Sequence, residues 1–263
     1  MTAPIRLVAT DLDGTLLGLE DVVSERTRKA IRAVADAGIH VVAATGRSQW
    51  TAMPLVEPAD GLDLVVCSNG ASLYHVREER SLASYPIADR VIDEILTTLD
   101  RALPGCVYGW ETDDDLHYEA GFLAYRPNLD RPASPDLAVG ERPASIRKLM
   151  VGHPQVQHYE LLDAVVPLTP RGAFATTSGA PFVEITGEGI DKAFGVRKVC
   201  ERLGVGAEEV LAIGDNHNDI AMVTWAGRGI AMGNAHPALL AVVDEQTASN
   251  VEDGVAQVLE SLL

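Results

Sequence analysis

Several short apolar segments of this chain run directly into polar side chains, and this pattern constrains the fold more than any other feature. The first, at 7–10, reads Leu-Val-Ala-Thr and is followed by Asp11 and Asp13. Comparable apolar segments cover 39–44, 62–67 and 210–213. Near-continuous apolar segments are typical of parallel strands that are covered on both faces of a sheet. Helical segments between such strands predict a doubly wound sheet with right-handed crossovers.

The segment between the first two apolar runs has the pattern of a helix. Ser24 is a residue type that caps helix N-termini, and Gly38 is one that ends helices. Apolar residues recur between them at helical spacing, at Ala30, Ile31 and Val34. We therefore predict strand, helix and strand in this order, which is the repeating unit of an α/β fold.

Asp11 and Asp13 lie two residues apart just beyond the first predicted strand. Alternation along a strand places residues i and i+2 on the same side, so the two carboxylates would lie close together. Two like charges at that separation repel each other, which predicts a cation beside them. Gly14 and Thr15 add a permissive backbone position and a hydroxyl group. A polar turn explains the same residues, since Asp and Gly are common in turns.

Polar side chains also follow the other predicted strands. They are Thr45, Gly46 and Arg47 after the second strand, and Asp215, Asn218 and Asp219 after the strand at 210–213. Lys192 precedes another helical segment. Ligands of open parallel sheets bind outside the carboxyl ends of the strands. We therefore expect these side chains to surround one ligand site.

These motifs, in this order, resemble those of the haloacid dehalogenase superfamily, and within it the Cof-like sugar-phosphate phosphatases. The resemblance rests on 11–15 (DLDGT), 45–47 (TGR), Lys192, 214–215 (GD) and 218–219 (ND). Supporting matches are 68–71, 183–186 and 231–235, so the resemblance spans most of the chain. One departure is the sequence Ala-Phe-Gly after Lys192, where relatives often have a small residue or glycine; we expect the start of a helix to tolerate it.

The resemblance implies a Rossmann-like, doubly wound α/β core with an inserted α+β cap domain. We expect residues 1–83 and 185–263 to form the core and 84–184 to form the cap, which the resemblance associates with substrate specificity. Proline-containing turns punctuate this insertion. Within it we predict a strand at 147–151 and a helix at 156–165.

The resemblance also implies how the site works, with Asp11 as the nucleophile that forms an aspartyl-phosphate. A carboxylate that meets a phosphate dianion at about 4 Å is repelled by roughly 8 kcal/mol at an effective dielectric constant of about 20. A cation must offset this repulsion, and Mg²⁺ prefers oxygen ligands. We expect the side chains of Asp11 and Asp215 and the backbone carbonyl of Asp13 to bind Mg²⁺.

Asp13 has a second expected role, because its carboxyl group can protonate the leaving alkoxide and later deprotonate the attacking water. The groups expected to bind the transferred phosphoryl group are Thr45, the backbone N–H of Gly46, Lys192 and Asn218. Asp219 is expected to act indirectly, by orienting either a water bound to the metal or Lys192. Arg47 fits a substrate contact and a structural or solvated role equally well.

The predicted function is Mg²⁺-dependent hydrolysis of a small phosphorylated metabolite, with sugar phosphates as one candidate class. A phosphotransferase such as a hexose-phosphate mutase would use the same aspartyl-phosphate, and the motifs do not separate the two. A phospho-acceptor signalling module also places acidic residues, a Thr and a Lys at strand ends, but such modules lack a large insertion. Within the insertion, Trp110, His117, Tyr118 and Arg126 are candidates for substrate contact, for core packing or for the surface.

Composition limits the partners and the location of the protein. With 263 residues, 47% of them hydrophobic, the chain can bury a substantial core in one large domain or two smaller ones. Its formal net charge of −17 disfavours nucleic acid and anionic membranes as partners. The three separated cysteines, the lack of a signal-peptide pattern and the lack of an apolar run of roughly 20 residues favour a cytoplasmic protein. The sequence indicates no oligomeric state.

Overall fold

A computed structural model describes residues 3–57, 59–125, 142–156 and 158–263. The chain divides into two compact units, one formed by Met1–Ala83 with Asp191–Leu263 and the other by Ser84–Ile190. The second boundary differs from the one expected from sequence, at 184/185. It lies farther along the chain because 183–187 is a strand that pairs within the second unit.

The described residues contain two sheets. In chain order the strands are β1 Leu7–Thr10, β2 His40–Ala44, β3 Leu62–Cys67, β4 Ser72–His75, β5 Arg80–Ser84, β6 Val107–Glu111, β7 Leu116–Tyr118, β8 Lys148–Gly152, β9 Ala173–Thr176, β10 Val183–Gly187, β11 Val210–Gly214, β12 Arg228–Ala231 and β13 Glu245–Gln246. Eight of them form a sheet in the order β13-β12-β11-β1-β2-β3-β4-β5, and five form a sheet in the order β7-β6-β8-β10-β9.

Helices alternate with these strands. In chain order the α-helices of the described residues are α1 Glu25–Asp36, α2 Gln49–Val56, α3 Asp89–Ala102, α4 His158–Val165, α5 Lys192–Leu203, α6 Ile220–Trp225, α7 Pro237–Leu240 and α8 Gly254–Glu260. The first helix begins as predicted, because the Ser24 side chain accepts a hydrogen bond from the Thr27 backbone N–H at 3.1 Å. The predicted strand and helix of the insertion correspond to β8 and α4.

The eight-stranded sheet confirms the predicted α/β fold. Strand β1 lies at its centre and pairs in parallel with β2 on one side and β11 on the other. Strands β3 and β12 continue the parallel pairing outward, whereas β4 pairs antiparallel with β3. All residues of β1 and β11 are buried, which explains their nearly uninterrupted apolar sequences. The carboxyl ends of β1, β2 and β11 therefore meet at one edge of the sheet.

Helix α5 begins at Lys192 and lies close to that edge. The Asp191 side chain caps it by accepting a hydrogen bond from the Phe194 backbone N–H at 2.7 Å. Gly195 faces β3 so closely that a Cβ there would lie 2.2 Å from Val66 Cγ1. The expectation that a helix would start normally at this unusual sequence is confirmed, and the glycine permits the close helix–sheet contact.

The second unit has its own sheet and core. Pairing in the five-stranded sheet is antiparallel between β6 and β7, β6 and β8, β8 and β10, and β9 and β10. Residues of β6, β8, β10, α3 and α4 form one apolar cluster, which includes Trp110 and Leu149. This unit is thus an α+β domain, as the insertion was predicted to be. No helix among the described residues is long and apolar enough to span a membrane.

We expect Gly195→Ala to destabilise the protein, although alanine is the better helix former by about 1 kcal/mol. The added methyl group would overlap Val66, and overpacking of a well-packed core costs about 1–3 kcal/mol. Urea denaturation should show a lower free energy of unfolding for this variant. The double variant Gly195→Ala/Val66→Ala is the control, because it removes the clash with Val66 Cγ1 and leaves the tight contact with Gly70 Cα at 3.0 Å. A stabilised Gly195→Ala variant would contradict the packing argument.

Candidate active site

Three buried charged side chains meet at the carboxyl edge of the first unit's sheet. Asp11 directly follows β1 and is 4% exposed, and Lys192 at the start of α5 is 1% exposed. The Lys192 Nζ donates hydrogen bonds to Asp11 Oδ1 at 2.5 Å and to Asp219 Oδ1 at 2.7 Å. Burial lowers the pKa of Lys192, but the two carboxylates outweigh this effect and raise the pKa above its ordinary value. Lys192 is therefore a buried cation shared by two carboxylates.

Asp219 uses its second oxygen to hold the loop after β11. Its Oδ2 accepts hydrogen bonds from the backbone N–H groups of Asp215 and Asn216, both at 3.0 Å. Asp219 is expected to orient either a metal-bound water or Lys192, and in this structure it contacts Lys192. The side chain thus links the position of Lys192 to the position of Asp215.

Asp215 lies beside the turn that follows Asp11. Its Oδ1 accepts a hydrogen bond from the Thr15 hydroxyl at 2.9 Å. Gly14 has a φ of +76°, and a Cβ there would lie only 2.5 Å from Asp215 Oδ2. Glycine is required at this position both by the backbone conformation and by the approach of the carboxylate.

The site carries an excess of negative charge at its centre. Carboxylate oxygens of Asp11, Asp215 and Asp219 all lie within 4.8 Å of one another. Burial, with the charge of Asp219, raises the pKa of Asp11 well above its ordinary value and that of Asp215 to about 6. Since burial disfavours the ionised forms of Asp11 and Asp215, a cation beside these two carboxylates would stabilise them. A donor set of carboxylate oxygens fits Mg²⁺, a hard cation.

The Asp13 side chain makes a contact that the sequence left open. Arg47 Nε donates to both carboxylate oxygens of Asp13, at 3.0 and 2.9 Å, and Arg47 Nη2 donates to Oδ1 at 2.5 Å. Both side chains are about one-third exposed, at 35% for Asp13 and 28% for Arg47. Arg47 also lies 3.4 Å from Asp21. Arg47 is thus an ion-pair partner of Asp13 in this structure.

The predicted phosphate-binding residues after β2 and β11 are also placed at this edge. Thr45 is fully buried, and its hydroxyl oxygen accepts a hydrogen bond from the Arg47 backbone N–H at 3.0 Å. Gly46 lies between them in the chain. Asn218 is 5% exposed, and its Nδ2 donates to Asn69 Oδ1 at 2.9 Å. Asn69 and Gly70 are a turn signal that the resemblance places near the site, and the role this implies for Asn69 is a weak structural one.

Two further asparagines form hydrogen bonds that hold the loop after β1, and neither is among the site residues predicted from the sequence. Asn234 Nδ2 donates to the Gly14 carbonyl at 2.8 Å, and Asn234 Oδ1 accepts from the Asn250 backbone N–H at 3.0 Å. Asn250 Nδ2 donates to the Leu17 carbonyl at 2.8 Å. The signal for Asn234 was present in the supporting match at 231–235. Asn250 had no comparable signal.

The candidates for substrate contact in the insertion differ in burial and in the contacts that they make. Trp110 and Tyr118 are each 1% exposed. Trp110 belongs to the apolar cluster of the second unit, and Tyr118 stacks on Phe122 with ring centroids 5.6 Å apart. His117 is half-buried and pairs with Trp110 across β6 and β7. Arg126 lies outside the described residues. Core packing therefore accounts for Trp110 and Tyr118.

Comparisons with known proteins identify the family of this chain. Residues 8–259 match the family model of haloacid dehalogenase-like hydrolases. The chain is 31% identical to the 5-amino-6-(5-phospho-D-ribitylamino)uracil phosphatase YcsE of Bacillus subtilis, over 97% of this chain and 94% of that protein. It is 28% identical to the pyridoxal phosphate phosphatase YbhA of Escherichia coli, over 98% of each chain.

Solved structures show the same fold. A haloacid dehalogenase-like hydrolase from B. subtilis matches with a TM-score of 0.82 and 26% identity, over 98% of this chain and all of that one. A subclass IIB sugar phosphatase of the superfamily matches with a TM-score of 0.84 at 20% identity, again over 98% of this chain and all of the other. The resemblance inferred from the motifs is confirmed: the chain belongs to the haloacid dehalogenase-like hydrolase family and is a phosphatase of the Cof-like type.

Proposed function

We propose that this phosphatase hydrolyses small phosphorylated metabolites through an aspartyl-phosphate on Asp11, with Mg²⁺ as its cofactor. The observation that carries the proposal is the buried contact of Lys192 with Asp11 and Asp219, beside Asp215. Three carboxylates against one ammonium leave two negative charges, which a divalent cation balances. A phospho-acceptor signalling module is not supported, because the relatives of this chain are named phosphatases.

Asp11 and Asp215 are the proposed side-chain ligands of Mg²⁺, together with the backbone carbonyl of Asp13. When bound, the ion would offset the repulsion between the nucleophile and the phosphate dianion. Asp219 is not assigned as a ligand here, because Lys192 and two backbone N–H groups already occupy its oxygens.

In the first step, a carboxylate oxygen of Asp11 attacks phosphorus, and the bond from phosphorus to the leaving oxygen breaks. Asp13 gives a proton to that oxygen, so the alcohol leaves as a neutral molecule. Lys192 neutralises charge on Asp11 and on the phosphoryl group. Thr45, the Gly46 backbone N–H and Asn218 are the proposed hydrogen-bond donors to the phosphoryl oxygens.

In the second step, Asp13 takes a proton from water, whose oxygen attacks the phosphorus of the aspartyl-phosphate. The Asp11–phosphate bond breaks, inorganic phosphate leaves, and the Asp11 carboxylate is restored. Asp13 therefore ends the cycle protonated and ready for the next substrate. Arg47 donates to both oxygens of Asp13 in this structure, and Oδ2 accepts only one of these hydrogen bonds, so it keeps a lone pair for this proton transfer.

We assign the choice of substrate to the second unit, because the resemblance associates the inserted domain with specificity. Phosphorylated ribityl-uracil and pyridoxal phosphate are the substrates that the relatives' names suggest, and sugar phosphates are a third class. The net charge of −17 favours a small substrate over a polyanion as partner. A cytoplasmic location fits a metabolite phosphatase with this composition.

Asp11→Asn tests the nucleophile. We expect phosphate release from an aryl phosphate to fall by about 10³-fold or more, because an amide does not replace the carboxylate as nucleophile. Circular dichroism and the melting temperature should stay near those of the wild type, because burial disfavours the charge of Asp11 and raises its pKa, and because Lys192 keeps its contact with Asp219. Activity within tenfold of the wild type would reject the assignment.

Metal dependence is tested by removing and restoring Mg²⁺. A chelator should abolish activity, and added Mg²⁺ should restore it. Binding should also stabilise the metal-free protein, by about 2.7 kcal/mol at a hundredfold excess over Kd. Asp215→Asn should lose most of this stabilisation because it removes a charged ligand, whereas Asp36→Asn, an exposed position at the end of α1, should keep it. Full turnover in excess chelator would overturn the proposal.

The balance between hydrolysis and phosphoryl transfer is tested by product ratio. We expect one phosphate released per alcohol formed with hexose phosphates, pyridoxal phosphate and a phosphorylated ribityl-uracil, with or without added free hexose. Values of kcat/KM should differ by about tenfold or more across this panel, because even one methylene group in a pocket contact is worth about 10–200-fold. Less phosphate than alcohol, with a new phosphorylated sugar, would identify a phosphotransferase instead.

A further inference from the structure

Asn69 and Asn218 form a buried amide pair between two loops that are distant in the chain. Asn218 Nδ2 donates to Asn69 Oδ1 at 2.9 Å, and the two residues are 5% and 1% exposed, respectively. Asn69 Nδ2 and Asn218 Oδ1 are also buried, and neither has a hydrogen-bond partner among the described residues. Buried amide groups without partners cost free energy, so this pair is not explained by stability alone.

The loop that carries Asn69 lies against two other parts of the site. The Asn69 backbone N–H donates to the Thr45 carbonyl at 2.9 Å. The neighbouring Gly70 is so close to the start of α5 that a Cβ there would lie 1.9 Å from the Asp191 carbonyl oxygen. Asn69 is therefore held beside the backbone of one proposed phosphate-binding residue, Thr45, and of the residue before another, Lys192.

The backbone at Asn69 is in an uncommon conformation. Its φ is 52° and its ψ is 39°, which is the left-handed region, and the preceding Ser68 has a φ of 56°. Asparagine tolerates this region better than most residues other than glycine. Non-glycine residues in the left-handed region cluster at functional sites, where the surrounding structure enforces the conformation.

We propose that Asn69 is a positioning residue that orients the Asn218 amide toward the phosphoryl group. This inference rests on the proposed function, in which Asn218 is a hydrogen-bond donor to that group. The Asn69 Oδ1 atom can only accept, so it engages the nitrogen end of the Asn218 amide. Asn218 Oδ1, which would repel a phosphoryl oxygen, is buried. One N–H of Asn218 is used by Asn69, and the second is left for the phosphoryl group.

A double-mutant cycle tests this coupling. Asn69→Gly removes the amide and keeps the left-handed backbone conformation, which glycine adopts without strain. We expect kcat to fall about 10²-fold in Asn218→Ala, the loss typical of one such donor. Asn69→Gly should lower kcat about tenfold with KM changed less than threefold. The double variant should be no slower than Asn218→Ala, because Asn69 acts through Asn218.

Gly204→Ala is the control for a purely structural effect. Gly204 ends α5 with a φ of +65° and has open space around it, so alanine there strains the backbone far along the helix from Lys192. We expect a lower melting temperature with unchanged kcat and KM. If Asn69→Gly behaved in the same way, or if the losses of the two asparagine variants multiplied in the double variant, the proposal would be overturned. An unimpaired Asn218→Ala would reject the role of Asn218 in the proposed function itself.

Nuclear magnetic resonance of the wild-type protein supplies a test that does not depend on the Asn69 variant folding. Loss of a side-chain signal in Asn218→Ala assigns the two amide protons of Asn218. With Mg²⁺ present, inorganic phosphate should shift one of these protons strongly and leave the other, which is bonded to Asn69, nearly unchanged. Equal shifts of both protons, or no shift of either, would contradict the proposed orientation.

Discussion

The contact of Lys192 with Asp11 and Asp219 is the interaction on which the rest of the site depends. All three side chains are buried, so each charge would be costly without its partners. Lys192 comes from the start of α5, Asp11 from the end of β1 and Asp219 from the loop after β11. One ammonium group thus joins three chain segments, and it holds Asp11, the proposed nucleophile, close to the loop that carries Asp215.

This arrangement requires unusually close contacts between backbone and side chains, and glycines supply them. The absence of a Cβ at Gly14 leaves room for the Asp215 carboxylate, and its absence at Gly70 leaves room for the Asp191 carbonyl. Gly195 lets α5 approach β3 near Val66. Asparagine amides then fix the loops that the glycines bring together, as Asn234 does for the turn after β1. The polar network therefore depends on glycines, whose lack of a Cβ permits these close approaches, as much as on charged side chains.

The chemistry and the choice of substrate are assigned to different units of the chain. Each proposed chemical role lies in the unit formed by Met1–Ala83 and Asp191–Leu263. The unit Ser84–Ile190 has its own sheet and apolar core, into which Trp110 is packed. A second unit with a separate core can vary in sequence without disturbing the buried charges around Lys192. Under the proposed function, the residues that act on the phosphoryl group can therefore stay constant while the substrates differ.

Apolar periodicity was sufficient to predict the parallel α/β sheet and the residues that follow its strands. Parallel strands that are buried on both faces need apolar runs, and strands that run in the same direction place the residues after them at the same edge of the sheet. Other features are evident from the folded protein alone: Arg47 pairs with Asp13, Asn69 pairs with Asn218, and Trp110 is buried. The second unit also ends after β10. These contacts join residues far apart in the chain or depend on how loops pack, and local periodicity carries no information about either.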